Sequence, residues 1–310
     1  MLPRNVPSLL LLFSVVLVSA LSWPLAVFAA IPHCAPVTPP QNTQPPPLFP
    51  KHRRGIYRNN QNIEVVDATP QSPPLEIDDP GVPDKGEFEI NLLTLADSTE
   101  DTRNIDVLRV DANYGVVLCR RGYELPTQLK IEFPVSAARE GSAPYRFGLG
   151  TAAIGVKFNF YNDDNRGLRV SVYPQGEFSG ASGVEKGVAE GAQTLVLPLL
   201  VAREFKYVTA VMNAGIERSF HGSDHGNMTV VELGIGRGLF RKLAVMGDVD
   251  SSSTLDFKED RLVSANLGAI YEVRNAILYI RTGHSLFSDE GAHAFFVFGT
   301  KVLIDAAKKP

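Results

Sequence analysis

The chain has little of what most enzymatic and metal chemistry depends on. Only two cysteines occur in 310 residues, Cys34 and Cys119. Neither sits in a Cys-x-x-Cys pair or a regular Cys/His spacing, which argues against zinc and redox motifs. The Leu-Ala/Ser-Gly/Ala box that precedes a lipid-modified cysteine is missing before Cys34, where Ile31-Pro32-His33 stands. No Gly-x-Ser-x-Gly is present; Gly180-Ala-Ser182-Gly183 is loop composition. Gly234-Ile-Gly236-Arg-Gly238 lacks both the strand–loop–helix setting and the Lys-Ser/Thr of a phosphate loop, so its glycines read as places of close packing or strand bending. Basic charge is also short. Thirty Lys and Arg face 34 Asp and Glu, a net charge of −4 with no basic stripe, which excludes a nucleic-acid partner.

What is present begins with an export signal. Met1-Leu-Pro-Arg4 leads into an uncharged apolar run from Val6 to Ile31, and Val27 with Ala29 forms a small-residue cleavage pair. Residues 1–29 read as a secretory signal peptide. An uncleaved anchor is the alternative, because the run is long enough to span a bilayer. Residues 30–85 follow as a Pro-rich, largely disordered periplasmic segment, with 13 of the chain's 22 prolines between Pro32 and Pro83. Lys51-His52-Arg53-Arg54 within it reads as a solvated charge run rather than a contact for an anionic polymer.

The stretch from Phe147 to Phe178 sets the architecture. Ala152, Ile154, Val156, Phe158 and Phe160 share one parity, and Gly155, Lys157, Asn159 and Tyr161 the other. After an Asn/Asp/Gly turn, Leu168, Val170 and Val172 alternate with Arg169, Ser171, Tyr173, Gln175 and Glu177. Side chains alternate faces along a strand, so this is a hairpin with one apolar and one polar face. Its strands have the length that crosses a bilayer.

The same alternation predicts about twelve strands over 86–305: Glu87–Leu95, Ile105–Val117, Gln128–Ala137, Gly148–Tyr161, Gly167–Phe178, Thr194–Arg203, Val208–Glu217, Thr229–Gly238, Leu243–Asp250, Leu262–Glu272, Ile277–Ser285 and Ala294–Ile304. Connections sort by length, with short turns after even strands and longer polar loops after odd ones. Outer-membrane barrels sort their loops so, with short turns in the periplasm; a β-sandwich has no reason to. Two strands alternate poorly, Thr194–Val201 with Pro198 inside it, and His293–Phe298.

The predicted fold is therefore all-β, an antiparallel up-and-down transmembrane β-barrel of about twelve strands over 86–305, with a tail at 306–310. Charged groups on the inward parity give candidate pore-lining residues: Arg109, Asp111, Lys157, Arg169, Glu177, Glu217, Glu232 and Glu272. Leu129, Ile131, Phe133, Met212, Ile216, Leu233, Ile235, Leu267, Phe296 and Phe298 should face lipid. Cys34 and Cys119 would lie on the same side of the membrane, where a disulfide could tie the linker to the rim; two free thiols are the other reading. One dense polar cluster, His221-Gly-Ser-Asp224-His225 with Ser219, contains the elements of a metal site or a hydrolase triad. Adjacent residues of a Gly-flanked loop rarely supply that geometry. No catalytic residue, metal ligand or cofactor is expected.

Tyr123-Glu-Leu-Pro-Thr-Gln-Leu-Lys-Ile-Glu-Phe-Pro134, Gly148-Leu-Gly-Thr-Ala-Ala-Ile-Gly-Val-Lys-Phe158 and Asn213-Ala-Gly-Ile-Glu217 resemble strands of the bacterial outer-membrane transporter family described as MetA-pathway of phenol degradation type. The resemblance covers about Gly86 to Ile304. One departure is the aliphatic final strand Gly299–Ile304, where barrel proteins usually end on an aromatic. The resemblance implies an outer-membrane passive channel for small, aromatic or hydrophobic solutes. Its expected partners are outer-membrane lipid, the barrel-assembly machinery and an unidentified solute, and it should be a monomer. The alternatives are a non-conducting structural or surface-binding barrel, a barrel hydrolase and a soluble exported β-sandwich.

Overall fold

The computed structural model describes residues 57–58, 64–120, 123–163, 165–191, 193–221, 226–274, 276–289 and 291–305. The signal peptide, Cys34, Asp224, His225 and the tail lie outside the described residues.

Twelve strands run in chain order: β1 Glu87–Ser98, β2 Thr102–Arg120, β3 Tyr123–Glu140, β4 in two segments Arg146–Leu149 and Ala152–Asp163, and β5 in two segments Leu168–Val172 and Gln175–Phe178. They continue as β6 Gln193–Glu204, β7 Thr209–His221, β8 Asn227–Phe240, β9 Leu243–Thr254, β10 Leu262–Val273, β11 Ala276–Ser288 and β12 Ala294–Asp305. Sequence neighbours are neighbours in the sheet, and β12 returns to β1 from Ala294↔Ser98 to Asp305↔Glu87. That closing seam leaves the sheet without an edge. The last strand, whose C-terminal half is aliphatic, carries the closure along its whole length.

Most strands run past the predicted ends. β2 starts at Thr102 and β3 reaches Glu140, so the β1–β2 connection shrinks from the expected 96–104 to 99–101. Side-chain alternation marks the membrane-facing part of a strand. The ladder itself is made by backbone groups, which continue into polar residues. The sorting of connections persists with one exception: 121–122, 164–167, 205–208, 241–242 and 274–275 stand at one end, and 141–145, 179–192, 222–226, 255–261 and 289–293 at the other, where 99–101 is as short as a turn. Within 179–192 a one-turn helix, α1 Ala181–Glu185, packs on β4, where a Cβ on Gly183 would sit 2.4 Å from the Leu149 carbonyl.

Pro198 neither breaks β6 nor marks a bulge. Leu199↔Val172 and Val196↔Gln175 keep one register on either side of it, and Tyr173 N donates to the Pro198 carbonyl at 3.1 Å. Its missing N–H faces the interruption of β5 at Tyr173-Pro174, so both prolines fall in one gap of the ladder.

Inner and outer faces separate as the alternation requires. Leu233 is 55% exposed on the outside of β8, while Asn91, Asn213, Lys157 and Arg169 are buried on the inside. Ile131, Phe133, Met212, Ile235, Leu267, Phe296 and Phe298 are exposed together. Such an apolar girdle around a polar interior suits a strand barrel in lipid, where every backbone group must be satisfied within the sheet.

Candidate functional site: an occupied lumen

The lumen is filled in part by the chain itself. Residues 66–86 do not continue the disordered spacer expected for 30–85; they lie inside the barrel. Leu75 and Ile77 are fully buried. With Val66 and Ala68 they form one cluster with Leu93, Ala202, Val211, Ala244, Met246, Ile270, Tyr279 and Val297 from the inner wall. This explains the poorly alternating strands. Val297 on β12 is an inward apolar residue because it shares a cluster with an apolar segment rather than meeting water, and Ala202 on β6, just past the Thr194–Val201 stretch, does the same. Burying Leu75 and Ile77 is worth about 1.5–3 kcal/mol each.

Polar contacts fix the segment along its length. Lys301 Nζ donates to Gln71 Oε1 at 2.7 Å. The backbone N–H groups of Glu76 and Ile77 donate to Asp248 Oδ2 at 3.1 and 3.2 Å, and Arg281 Nη1 donates to Glu76 Oε1. Lys157 Nζ donates to the Asp79 carbonyl at 2.8 Å and lies 3.5 Å from its carboxylate. Asn159 Nδ2 donates to the Pro80 carbonyl at 2.9 Å, and Ser171 Oγ donates to the same oxygen. A proline-rich stretch makes few internal hydrogen bonds, so the wall supplies partners that the segment cannot supply for itself.

Glycines on the wall make room for this backbone. A Cβ on Gly236 would lie 1.8 Å from the Ala68 carbonyl, and one on Gly115 2.1 Å from the Asp84 carbonyl. Gly234 and Gly236 therefore serve close packing, as the sequence suggested, with the segment as the neighbour. Gly236→Ala should push the segment off the wall without unfolding the barrel. Proteolysis of folded protein within 66–86 should quicken, while the gel shift between unboiled and boiled samples stays. Unchanged proteolysis would contradict the packing.

All eight predicted lining residues occupy inward positions on their strands. They do not form one site. Arg109 is 3.1 Å from Glu132, which Lys130 also meets at 2.8 Å. Asp111 accepts hydrogen bonds from Asn91 and Asn113, both at 3.1 Å. Arg169 pairs with Glu204 at 2.6 Å, and Asn213 donates to Glu232 at 2.7 Å. Glu177 and Glu217 stand near the long-loop end and Glu272 near the short-turn end of their strands. The expected bracing by mixed charges exists, but it joins neighbouring strands or the wall to residues 66–86. Glu76, Asp79 and Arg281 were not foreseen as lumen residues, whereas Asp248 and Lys301 lie on the inward parity read from the sequence. Arg281 shares parity with Tyr279 and Ser285, and that signal was legible in the sequence.

Ser219 and His221 end β7, and Asp224 and His225 lie outside the described residues. Among the described residues no group of His, Cys, Asp or Glu is placed to hold a metal ion.

No family model and no curated relative matches the chain. Among solved structures it is similar to the KdgM porin, with 6% identity over 68% of this chain and 98% of that one and a TM-score of 0.42. The CymD monoaromatic hydrocarbon channel matches at 9% identity over 72% and 89% with a TM-score of 0.43. The translocator domain of the autotransporter NalP from Neisseria meningitidis matches at 11% over 74% and 91% with a TM-score of 0.42. Strand pairing and the two faces establish the barrel of this chain.

Beyond the lumen, the loops at the long-loop end are clasped. Arg261 grips Asp289 through Nε and Nη2 at 3.2 and 3.1 Å, and its guanidinium lies 4.8 Å from the Phe287 ring centre. Hydrogen bonds from Arg261 hold the Asp289 carboxyl below its usual range. A lowered folded value means the clasp is complete above the ordinary carboxylate range and is lost as pH falls through the lowered one. Loop hydrogen exchange near Asp289 should therefore rise only below about pH 4, the ordinary aspartate value. A rise already at neutral pH would count against the clasp.

Proposed function

We propose that the protein is an outer-membrane channel for small solutes whose passage is held shut by its own N-terminal segment. The observation that carries this is the mode of closure. Residues 66–86 are docked by ion pairs, hydrogen bonds and two apolar side chains against a wall complete without them, since twelve strands already close the barrel. A filling held by side-chain contacts rather than by the sheet can be released without opening the wall. The resemblance of Tyr123–Pro134 and Gly148–Phe158 to the phenol-degradation type of outer-membrane transporter supports the same reading. On this reading the short-turn end and the entry of the segment face the periplasm, and 1–29 is the export signal. Lipid and the assembly machinery are the partners in biogenesis, and a sheet without edges works as a monomer.

The filling equally suits a non-conducting structural barrel, so conductance decides. In planar bilayers the protein should be mostly closed, with brief openings that lengthen when Arg281 or Lys157, both buried against the segment, is replaced by glutamine. Folded, heat-shifting protein that stays silent in those variants too, with the segment in place or released, would favour the structural barrel.

A further inference from the structure

We infer that the wall of the lumen covered by residues 75–80 is a binding site for short acidic peptides bearing apolar side chains, and that the chain's own segment occupies it as a stand-in. The inference deepens the channel reading, on which it rests, by naming a solute class.

The wall recognises each chemical part of a peptide. Asp248 takes two successive backbone N–H groups, at 3.1 and 3.2 Å. Lys157, Asn159 and Ser171 donate to the carbonyls of Asp79 and Pro80. Leu75 and Ile77 share one apolar cluster with Met246, Ile270, Tyr279 and Val297 of the wall, and Arg281 receives the carboxylate of Glu76. An inorganic ion or a hydrocarbon would use only one of these parts. A peptide of alternating apolar and acidic residues uses them all.

The site can also do more than the segment asks of it. Arg281 is 1% exposed and meets Glu76 through Nη1, while its Nε and Nη2 have no partner among the described residues. Asp248 Oδ1, also buried, has none either. Unfilled buried donors on one edge of a guanidinium are fitted to a carboxylate that binds in a fork. Glu76, tethered on both sides, reaches only one nitrogen. Its side chain is 46% exposed, so the carboxylate that Arg281 holds is not sealed in.

A tethered segment competes at an effective concentration of about millimolar, so an added peptide wins only when the segment is weakened. The test therefore uses the full chain carrying Leu75→Ala and Ile77→Ala. The probe is fluorescently labelled acetyl-Leu-Glu-Ile-Asp-Asp-amide, followed by anisotropy in detergent and by current block in bilayers. The peptide should bind and block. Its Leu-Gln-Ile-Asn-Asn analogue should bind roughly tenfold to a hundredfold more weakly, the range for losing charge-assisted hydrogen bonds. Arg281→Gln should weaken the acidic peptide similarly and leave the analogue little changed. Arg281→Lys, which keeps the charge but not the fork, should fall between and guards against misfolding of the glutamine variant. Equal binding of both peptides, or no effect of either Arg281 variant, overturns the site. Current without peptide binding overturns the site and leaves the channel standing. Charge-selective binding without current supports the site and overturns the channel.

Discussion

Replacing Leu75 and Ile77 together by alanine should turn a mostly closed barrel into a mostly open one. Both side chains are fully buried against the inner wall. Truncating a buried Leu or Ile costs about 2–5 kcal/mol, so the pair removes roughly 4–10 kcal/mol from docking. Moving a two-state equilibrium from 99:1 to 1:99 takes about 5.5 kcal/mol. The expected loss spans that figure, so the open fraction should rise from occasional bursts toward a steady current. The barrel should keep its heat shift, because the ladders from β1 to β12 do not include the segment. Single substitutions should give intermediate open fractions. A double variant that folds and remains silent would mean that something else closes the lumen, or that nothing passes through it.

Leu233→Arg should be among the most damaging surface substitutions in the chain. Leu233 is more than half exposed in the middle of β8, a position a soluble protein fills with a charge at no cost. On the lipid face of a barrel, arginine at mid-bilayer costs about 2–4 kcal/mol. Denaturant unfolding in lipid vesicles should show that loss. Glu232→Gln, one residue away on the inner face, should change stability far less. If Leu233→Arg were neutral and the protein stayed soluble without detergent, the exported β-sandwich would be the better account.

The strands were legible in the sequence because two faces meet two solvents. Ile154, Phe160, Leu233 and Ile235 against Lys157, Asn159, Asn213 and Glu232 write the barrel residue by residue, and the connections give its direction. The occupied lumen was not legible for a related reason. Residues 66–86 carry the composition of a disordered linker, and their order comes from partners on most strands of the barrel rather than from local propensity. Leu75-Glu76-Ile77-Asp78 does alternate apolar and acidic residues, but four residues among prolines do not announce a docking element. The candidate lining residues could be named from parity, since charge cannot face lipid. Which of them meets the segment depends on register across the barrel; among the described residues Lys157 is ion-paired with it and Arg169 hydrogen-bonded to it.

The central claim, a barrel filled by its own N-terminal segment, is tested most directly by cross-linking. An ideal Cβ on Gly234 would lie 3.1 Å from Ile77 Cγ2. The measurement is disulfide formation between Ile77→Cys and Gly234→Cys, in intact outer membranes and in a background with Cys34 and Cys119 replaced by serine. A bond forming without added oxidant, lost when either new cysteine is omitted, places the segment in the lumen of the folded protein. Free thiols at both positions in a barrel that still shifts on boiling would contradict the account.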